Sequence, residues 1–361
     1  MANIVILGAG VMGSALSIPA AVVNTVTLIG SPLDDDIVQS VRETRRHPGL
    51  KLELPGTVKM SCASEQNERI IKDADVIIIG VSSPGVEWAL NEINRQQARP
   101  DIIALVTKGL VAGSKPSEPP QTYAQYIDSK LTLPAGRIVG IGGPCIAREL
   151  ALGFPTRVSF ASNDINVANK LRDYLQTDYY RITTNTDFTG LEACAALKNF
   201  MCIGVSAMLS AYELDDGYAK NPLAALFNQA VREIAILSQW ISDAADAPID
   251  TDNYSVSPWE LGSSAFDLAG MGDLHVTVGG GRNSRLGRYI GTGERLQQVM
   301  QTSMSGVTVE GVDTGRQLLP GFRVACIAGQ LDTKALPLTR AILAAISEDQ
   351  PFKFDFKLLP D

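Results

Sequence analysis

Histidine is scarce in this 361-residue chain, which has only His47 and His275. A catalytic proton relay through a His–Asp pair would have to use one of them, and the sequence around neither supports that role. The five cysteines (Cys62, Cys145, Cys194, Cys202, Cys326) are scattered, with no Cys-x-x-Cys. That excludes the common zinc spacings and a disulfide framework, so no metal and a reducing cytoplasm are expected. A Lys/Arg block is missing too, and the net charge is −8. Both argue against a nucleic-acid surface. The one local cluster, Arg42, Arg45 and Arg46, can serve a phosphate or simply solvate a helix end. No internal repeat is visible. No apolar stretch of membrane-spanning length runs uninterrupted: Lys198 and Asn199 break the 193–211 segment. A charge at the centre of a span is costly, so the segment reads as a buried helix and no membrane insertion is expected.

What the chain does have is concentrated at its start. An apolar run, Ile4 to Leu7, feeds directly into Gly8-x-Gly10-x-x-Gly13, and a helix-compatible segment follows. This is the fingerprint of a dinucleotide-binding βαβ unit. Gly8 permits the tight turn, Gly10 lets the backbone approach a pyrophosphate, and Gly13 lets helix and strand pack closely. The amides of Val11 and Met12, at the head of the new helix, point at the phosphates. A second apolar strand at 26–30 stands at the distance such a unit needs. The motif begins so early that no leader is expected ahead of it.

Length and composition, 45% hydrophobic and 19% charged, suit a globular protein of two domains. Strands are predicted at 4–7, 26–30, 58–61, 76–81, 102–107, 138–142, 157–161 and 181–184, several of them continuous apolar runs. Amphipathic stretches lie between, at 34–44, 84–95 and 166–176. The pattern predicts an α/β class: a doubly wound Rossmann domain with a parallel sheet over residues 1–187. Residues 188–361 then turn helix-rich, clearest at 188–212, 221–243, 283–303 and 333–347. They read as an all-helical substrate-binding and catalytic domain. A long polar loop at 247–263 is a candidate lid.

Four further segments carry catalytic residue types. Lys108 follows the 102–107 strand at its C-terminal end, where doubly wound sheets place ligands and where a Lys can meet an anion or a carbonyl oxygen. Gly143 and Cys145 sit in a strand–turn–helix segment whose turn amides can bind substrate oxygens. Cys145 lacks a sequence-adjacent His to activate it, so a packing or backbone role is favoured. Lys198 and Asn199 lie in an otherwise small and apolar helix. A buried Lys loses solvation and can exchange protons near neutral pH, whereas one at the helix edge merely snorkels. Asp273 can pair with Lys198 and hold it. Gly281, Arg282 and Asn283 open a helix and can grip a phosphate.

Taken in order, these segments resemble the NAD(P)-dependent sn-glycerol-3-phosphate dehydrogenase family. The resemblance rests on the fingerprint, Leu54-Pro55-Gly56, Thr107-Lys108-Gly109-Leu110, Gly143 through Glu149 with Pro155-Thr156, and Ala196-Leu197-Lys198-Asn199. It continues through Gly272-Asp273-Leu274, Gly281-Arg282-Asn283 and Val309-Glu310-Gly311. It implies that Lys198 exchanges the proton at the substrate C2 oxygen, with Lys108 and Asp273 in the same catalytic cluster. It also implies substrate contacts at Lys108, Gly143, Cys145 and Asn199, with Thr277, Arg282 and Asn283 on the substrate phosphate. Ala147, Arg282 and Glu310 match cofactor-contacting positions. A reversible hydride transfer between NAD(P)H and dihydroxyacetone phosphate is the implied activity. Its product, sn-glycerol 3-phosphate, is a backbone for phospholipids. A homodimer in the cytoplasm is the default expectation.

The chain departs from the family at Gln229, where an Arg is usual, and in the long 247–263 loop. Another phosphorylated polyol or hydroxy acid therefore stays open as substrate, as does a non-catalytic nucleotide sensor. The cofactor is NAD or NADP. Ser31 can bond a 2′-phosphate with Arg45 or Arg46 reaching in, which leans toward NADP and leaves dual use open.

Overall fold

The computed structural model describes residues 1–131, 136–214, 217–246 and 263–359. Of the candidate lid at 247–263, residues 247–262 lie outside them. The chain divides into two compact units, one of Met1–Lys108 with Tyr123–Phe188, the other of Gly109–Thr122 with Thr189–Asp361.

The first unit is built on one eight-stranded sheet: β1 (Asn3–Leu7), β2 (Thr25–Ile29), β3 (Lys59–Ser61), β4 (Val76–Ile79), β5 (Ile102–Leu105), β6 (Ile138–Gly142), β7 (Thr156–Ala161) and β8 (Tyr180–Asn185). In space the order is β8-β7-β6-β5-β4-β1-β2-β3. β1 lies between β2 and β4, with Ile4 opposite both Val26 and Val76. Its residues Ile4 to Leu7 are fully buried, as a strand covered on both faces requires. Helices α1 (Val11–Ala20), α2 (Asp35–Thr44), α3 (Val86–Arg95), α4 (Ala147–Ala151) and α5 (Ile165–Leu175) alternate with the strands.

The parallel sheet expected here is present, with one antiparallel pairing near its edge. β7 runs antiparallel to β6, and β8 follows β7 in parallel. The cause is the β6–β7 connection, whose only helix is the five-residue α4. That is shorter than the helix that usually carries a crossover between parallel strands. The chain re-enters the sheet from the same end and the strand reverses.

The second unit is largely helical. It also holds two short ladders absent from the all-helical expectation, Leu110–Val111 with Gln121–Thr122 and Glu213–Leu214 with Gly217–Tyr218. Its principal helices are α6 (Phe188–Ala211), α7 (Lys220–Asp246), α8 (Asp273–Val278), α9 (Arg282–Gly291), α10 (Glu310–Ile327) and α11 (Pro337–Ser347). α6 is long and apolar enough to cross a membrane, but 94% of its most apolar window is buried inside the protein, so it is a core helix. The helical stretch expected at 283–303 is broken at Gly293, whose φ of +93° ends the first segment before Leu296–Gln301 begins.

A buried acid in this unit serves a helix end. Glu233 of α7 is fully buried. Its carboxylate accepts from the Leu338 and Thr339 amides at 2.7 and 2.6 Å and from Gln229 Nε2 at 2.8 Å, capping α11. Burial pushes its carboxyl up to about 7 from the usual 4.5. An acid raised in this way holds its proton more tightly when folded than when unfolded. Its contribution is therefore fully present below about pH 4.5 and is lost as the pH rises through about 7. Against Glu233→Gln, which does not titrate, the wild type should lose about 3 kcal/mol across that window. Urea melts at the two ends of the window read the difference, and a difference that does not change with pH contradicts the assignment.

Candidate active site

In the first unit the chain leaves β1 through Gly8, whose φ is +112°. A Cβ there would lie 2.8 Å from Val81 Cγ1 and 2.9 Å from the Val81 nitrogen. Gly13 is held by packing, since its Cβ would sit 2.4 Å from the Gly8 carbonyl oxygen. Gly10 is different. Its φ of −65° suits any residue, and nothing lies within 4 Å of where its Cβ would be. Neither backbone strain nor protein packing calls for glycine there. Open space at the head of a helix fits a group that approaches the backbone, and a pyrophosphate is such a group. The first bond of α1 runs from the Ser14 amide to the Gly10 carbonyl, so the amides of Val11, Met12 and Gly13 precede the helical ladder.

The arginines expected near a 2′-phosphate at Ser31 donate to backbone carbonyls of their own segment. Arg45 donates to the carbonyls of Leu54 and Val58 at 3.2 and 3.3 Å and also to that of Pro55, closing a loop. Arg46 donates to the Lys51 carbonyl at 3.3 Å. Arg42 pairs with Glu65, whose carboxyl it holds down at about 2. The Ser31 amide donates to Asp34 Oδ2 at 2.8 Å, and Leu33 N donates to Ser31 Oγ at 3.4 Å. These bonds tie down a turn-rich segment, a demand that composition does not reveal.

The other first-unit candidates cluster where chain leaves the sheet. Thr107 Oγ1 donates to the Val81 carbonyl at 2.6 Å, tying together the segments that follow β4 and β5. Half-buried Lys108 comes next, its carbonyl accepting from Ser83 Oγ at 3.4 Å. Gly143, at φ +128°, turns the chain out of β6. Cys145 and Ala147 are half-buried and packed on the sheet core, in line with a packing role for the cysteine.

In the second unit two hydrogen-bonded sets and an ion pair hold most of the remaining candidates. Lys198 is buried in α6, and its Nζ donates to Asp273 Oδ1 at 3.0 Å and to Thr277 Oγ1 at 2.5 Å. Asp273 and Thr277 stand four residues apart on α8, so one helix face presents both. Thr277 gives its own proton to the Asp273 carbonyl at 2.6 Å, which leaves a lone pair toward the lysine. A wide turn precedes α8, with the Gly272 amide donating to the Asp267 carbonyl at 3.1 Å. Such turns recur at functional sites because they re-aim the residue that follows.

Asn199, next to Lys198, accepts from Asn283 Nδ2 at 3.0 Å, and Asn283 Oδ1 accepts from the Gly311 amide at 2.8 Å. The approach is so close that a Cβ on Gly311 would meet the Asn199 carbonyl oxygen at 2.4 Å. The heads of α9 and α10 are thus bound to α6. At those two heads Arg282 and Glu310 form an ion pair, with the guanidinium side chain 55% exposed. Both asparagines are engaged with the protein's own polar groups. Cys202, one turn beyond Lys198, is buried with its thiol pushed up to about 11, so it is no nucleophile. Gln229 is buried as well, donating to Glu233 and to the Ala335 carbonyl at 3.2 Å. The two histidines separate: His275 is exposed on α8, while His47 is buried in the first unit.

Two family models match. That for the NAD-dependent glycerol-3-phosphate dehydrogenase N-terminus covers residues 3–168, and that for the C-terminus covers 187–354. The chain is 32% identical to an NADP(+)-dependent glycerol-3-phosphate dehydrogenase of Archaeoglobus fulgidus, over 86% of this chain and 87% of that one. It is 30% identical to a glycerol-3-phosphate dehydrogenase [NAD(P)+] of Symbiobacterium thermophilum, over 97% and 91%. A crystal structure of glycerol-3-phosphate dehydrogenase from Coxiella burnetii shares the fold, with a TM-score of 0.73 at 24% identity over 97% and 96% of the two chains. The chain belongs to the NAD(P)-dependent glycerol-3-phosphate dehydrogenase family, oxidoreductases that act on a CH–OH group.

Proposed function

We propose that the chain interconverts dihydroxyacetone phosphate and sn-glycerol 3-phosphate, with Lys198 as the group that gives and takes the proton at the C2 oxygen. The carrying observation is the buried Lys198 Nζ held between Asp273 and Thr277. Reduction of a ketone leaves negative charge on oxygen, and a positioned ammonium stabilises that charge and then neutralises it. The Asp273 carboxylate offsets the cost of burying the lysine and fixes its direction. Thr277 contributes an acceptor that further limits where the ammonium points.

The nicotinamide dinucleotide supplies the hydride when bound. In this proposal Gly8, Gly10, Val11, Met12, Gly13 and Ala147 hold it in the first unit, with Ser31 toward the ribose. Arg282 and Glu310 are its contacts in the second. Lys108 is a further cation of the reaction, and Gly143 and Cys145 touch substrate. Asn199 and Asn283 shape the substrate side, and Thr277, Arg282 and Asn283 face the phosphate. A guanidinium carries five N–H donors, so the Glu310 pair leaves Arg282 capacity for an anion. The cytoplasmic setting and a homodimer belong to the same proposal, to be read by cell fractionation and light scattering. Five free cysteines are in keeping with the first.

The phosphate assignment is tested at Arg282. Arg282→Ala should raise KM for dihydroxyacetone phosphate by about 10- to 150-fold, the worth of one charge-assisted contact at about 1.5–3 kcal/mol. Arg282→Lys should recover only part, because it keeps the charge and loses the planar fork. The rate with unphosphorylated dihydroxyacetone should be poor in the wild type and barely change. Equal losses with both substrates would show that Arg282 serves only the cofactor or the fold, and not the substrate phosphate.

A further inference from the structure

We infer that His47 is a positioning residue for the dinucleotide loop, acting through the Ala9 peptide; the inference rests on the reading of Gly8–Gly13 as the cofactor site. His47 is 1% exposed and lies in a short ladder, Arg46–His47 with Leu52–Glu53, well removed in sequence from the loop. Its Nδ1 accepts from two backbone amides, Gly49 at 3.1 Å and Leu50 at 3.0 Å. An imidazole nitrogen that accepts carries no hydrogen, so the proton of the neutral ring is on Nε2. That nitrogen lies 2.9 Å from the Ala9 carbonyl oxygen and donates to it. The contacts therefore assign one tautomer and one orientation to the ring.

Ala9 is the residue between the first two glycines of the loop. Its carbonyl takes a second donor, Ser14 Oγ at 3.1 Å, and its amide donates to Asp34 Oδ2 at 3.0 Å. Two successive peptide planes are thereby set, one by Asp34 from behind β2 and one by His47 and Ser14. A trans peptide points its N–H opposite its C=O. Fixing the Ala9 carbonyl toward His47 therefore aims the Gly10 amide the other way, away from the ring. The turn that His47 organises also packs on the head of α1, since a Cβ on Gly49 would lie 2.8 Å from Val11 Cγ1. His47 thus presents the loop's amides in a fixed direction before any anion arrives. That lowers the ordering cost of binding, while His47 itself need not touch the cofactor.

The two ring nitrogens can be removed separately. An asparagine amide reaches about where Nδ1 stands and a glutamine amide about where Nε2 stands. His47→Asn keeps the acceptor for the turn and loses the Ala9 contact, and His47→Gln does the reverse. The full chain is titrated with NADH and NADPH in wild type, both variants and Gly10→Val, and Tm is measured for each. His47→Asn should raise the Kd of both dinucleotides by about 3- to 10-fold, the effect of one hydrogen bond. KM for the dinucleotide should rise with it, KM for dihydroxyacetone phosphate should not follow, and Tm should hold. His47→Gln should lower Tm and keep Kd close to wild type. That arm stands alone if the asparagine variant is not recovered folded, because a merely structural His47 would weaken Kd in step with Tm. Gly10→Val abolishing binding while His47→Asn leaves Kd unchanged overturns the role of His47 alone. Gly10→Val leaving Kd unchanged overturns the loop reading and this inference with it.

Discussion

Lys198→Ala should lower turnover by about 10²–10⁴-fold, the usual consequence of removing a positioned proton donor, while dinucleotide affinity stays close to wild type. The two effects part because the lysine acts on the substrate oxygen and the fingerprint amides act on the dinucleotide. The substitution has a second consequence. Asp273 stays buried, and the ammonium 3.0 Å from it is gone. Breaking such a pair costs about 3–5 kcal/mol of stability, so loss of activity alone does not separate chemistry from folding. The double variant Lys198→Ala/Asp273→Ala does. With both charges removed, Tm should recover much of the single variant's loss while turnover stays at the single variant's level. Turnover that returns with stability would show that the lysine only supports the fold.

Gly10→Val should weaken NADH and NADPH binding by at least about 100-fold, the equivalent of one or two charge-assisted hydrogen bonds to phosphate. The unliganded protein should tolerate it. Gly10 has φ −65° and ψ 174°, an extended conformation that valine adopts, and nothing lies within 4 Å of the added Cβ. Calorimetric titration and a thermal melt together decide the point. Wild-type Tm with lost binding is the expected pair, and an unchanged Kd would end the reading of this loop as a cofactor site. Gly13→Ala is the contrasting case. Its Cβ would strike the Gly8 carbonyl oxygen at 2.4 Å, so it should impair folding along with binding.

The parallel core was legible because its strands, such as β4 (Val76–Ile79), are unbroken apolar runs, which few other structures produce. α6 was legible for a related reason, since a charged pair inside a long apolar helix stands out. α10 was harder to read. It contains Gly311, Gly315, Pro320 and Gly321, poor helix formers by intrinsic preference. Packing overrides that preference, because a Cβ at Gly315 would press to 3.0 Å on Phe200, so the helix needs Gly311 and Gly315 to reach α6. The reversed β7 was hidden in the shortness of α4, a matter of geometry more than of pattern.

The site shows the same division. Lys198, Asp273 and Thr277 are legible as residue types, and the four-residue spacing on α8 already places the last two on one face. The roles of Arg45 and His47 were not legible. Both are set by bonds to backbone carbonyls and amides elsewhere in the fold, and no side-chain motif records where a carbonyl will point.

The most direct measurement follows the nicotinamide absorbance of NADH and NADPH with the purified chain against a panel of carbonyl substrates. The panel comprises dihydroxyacetone phosphate, unphosphorylated dihydroxyacetone, longer phosphorylated ketoses and 2-oxo acids. Rapid cofactor oxidation with dihydroxyacetone phosphate, its loss when the phosphate is removed, and sn-glycerol 3-phosphate as the product are the predicted result. Preferred turnover of a longer phosphorylated ketose, or of a 2-oxo acid without phosphate, would contradict the substrate assigned to Lys198 and Arg282. Dinucleotide binding with no turnover of any member would contradict the enzymatic account itself.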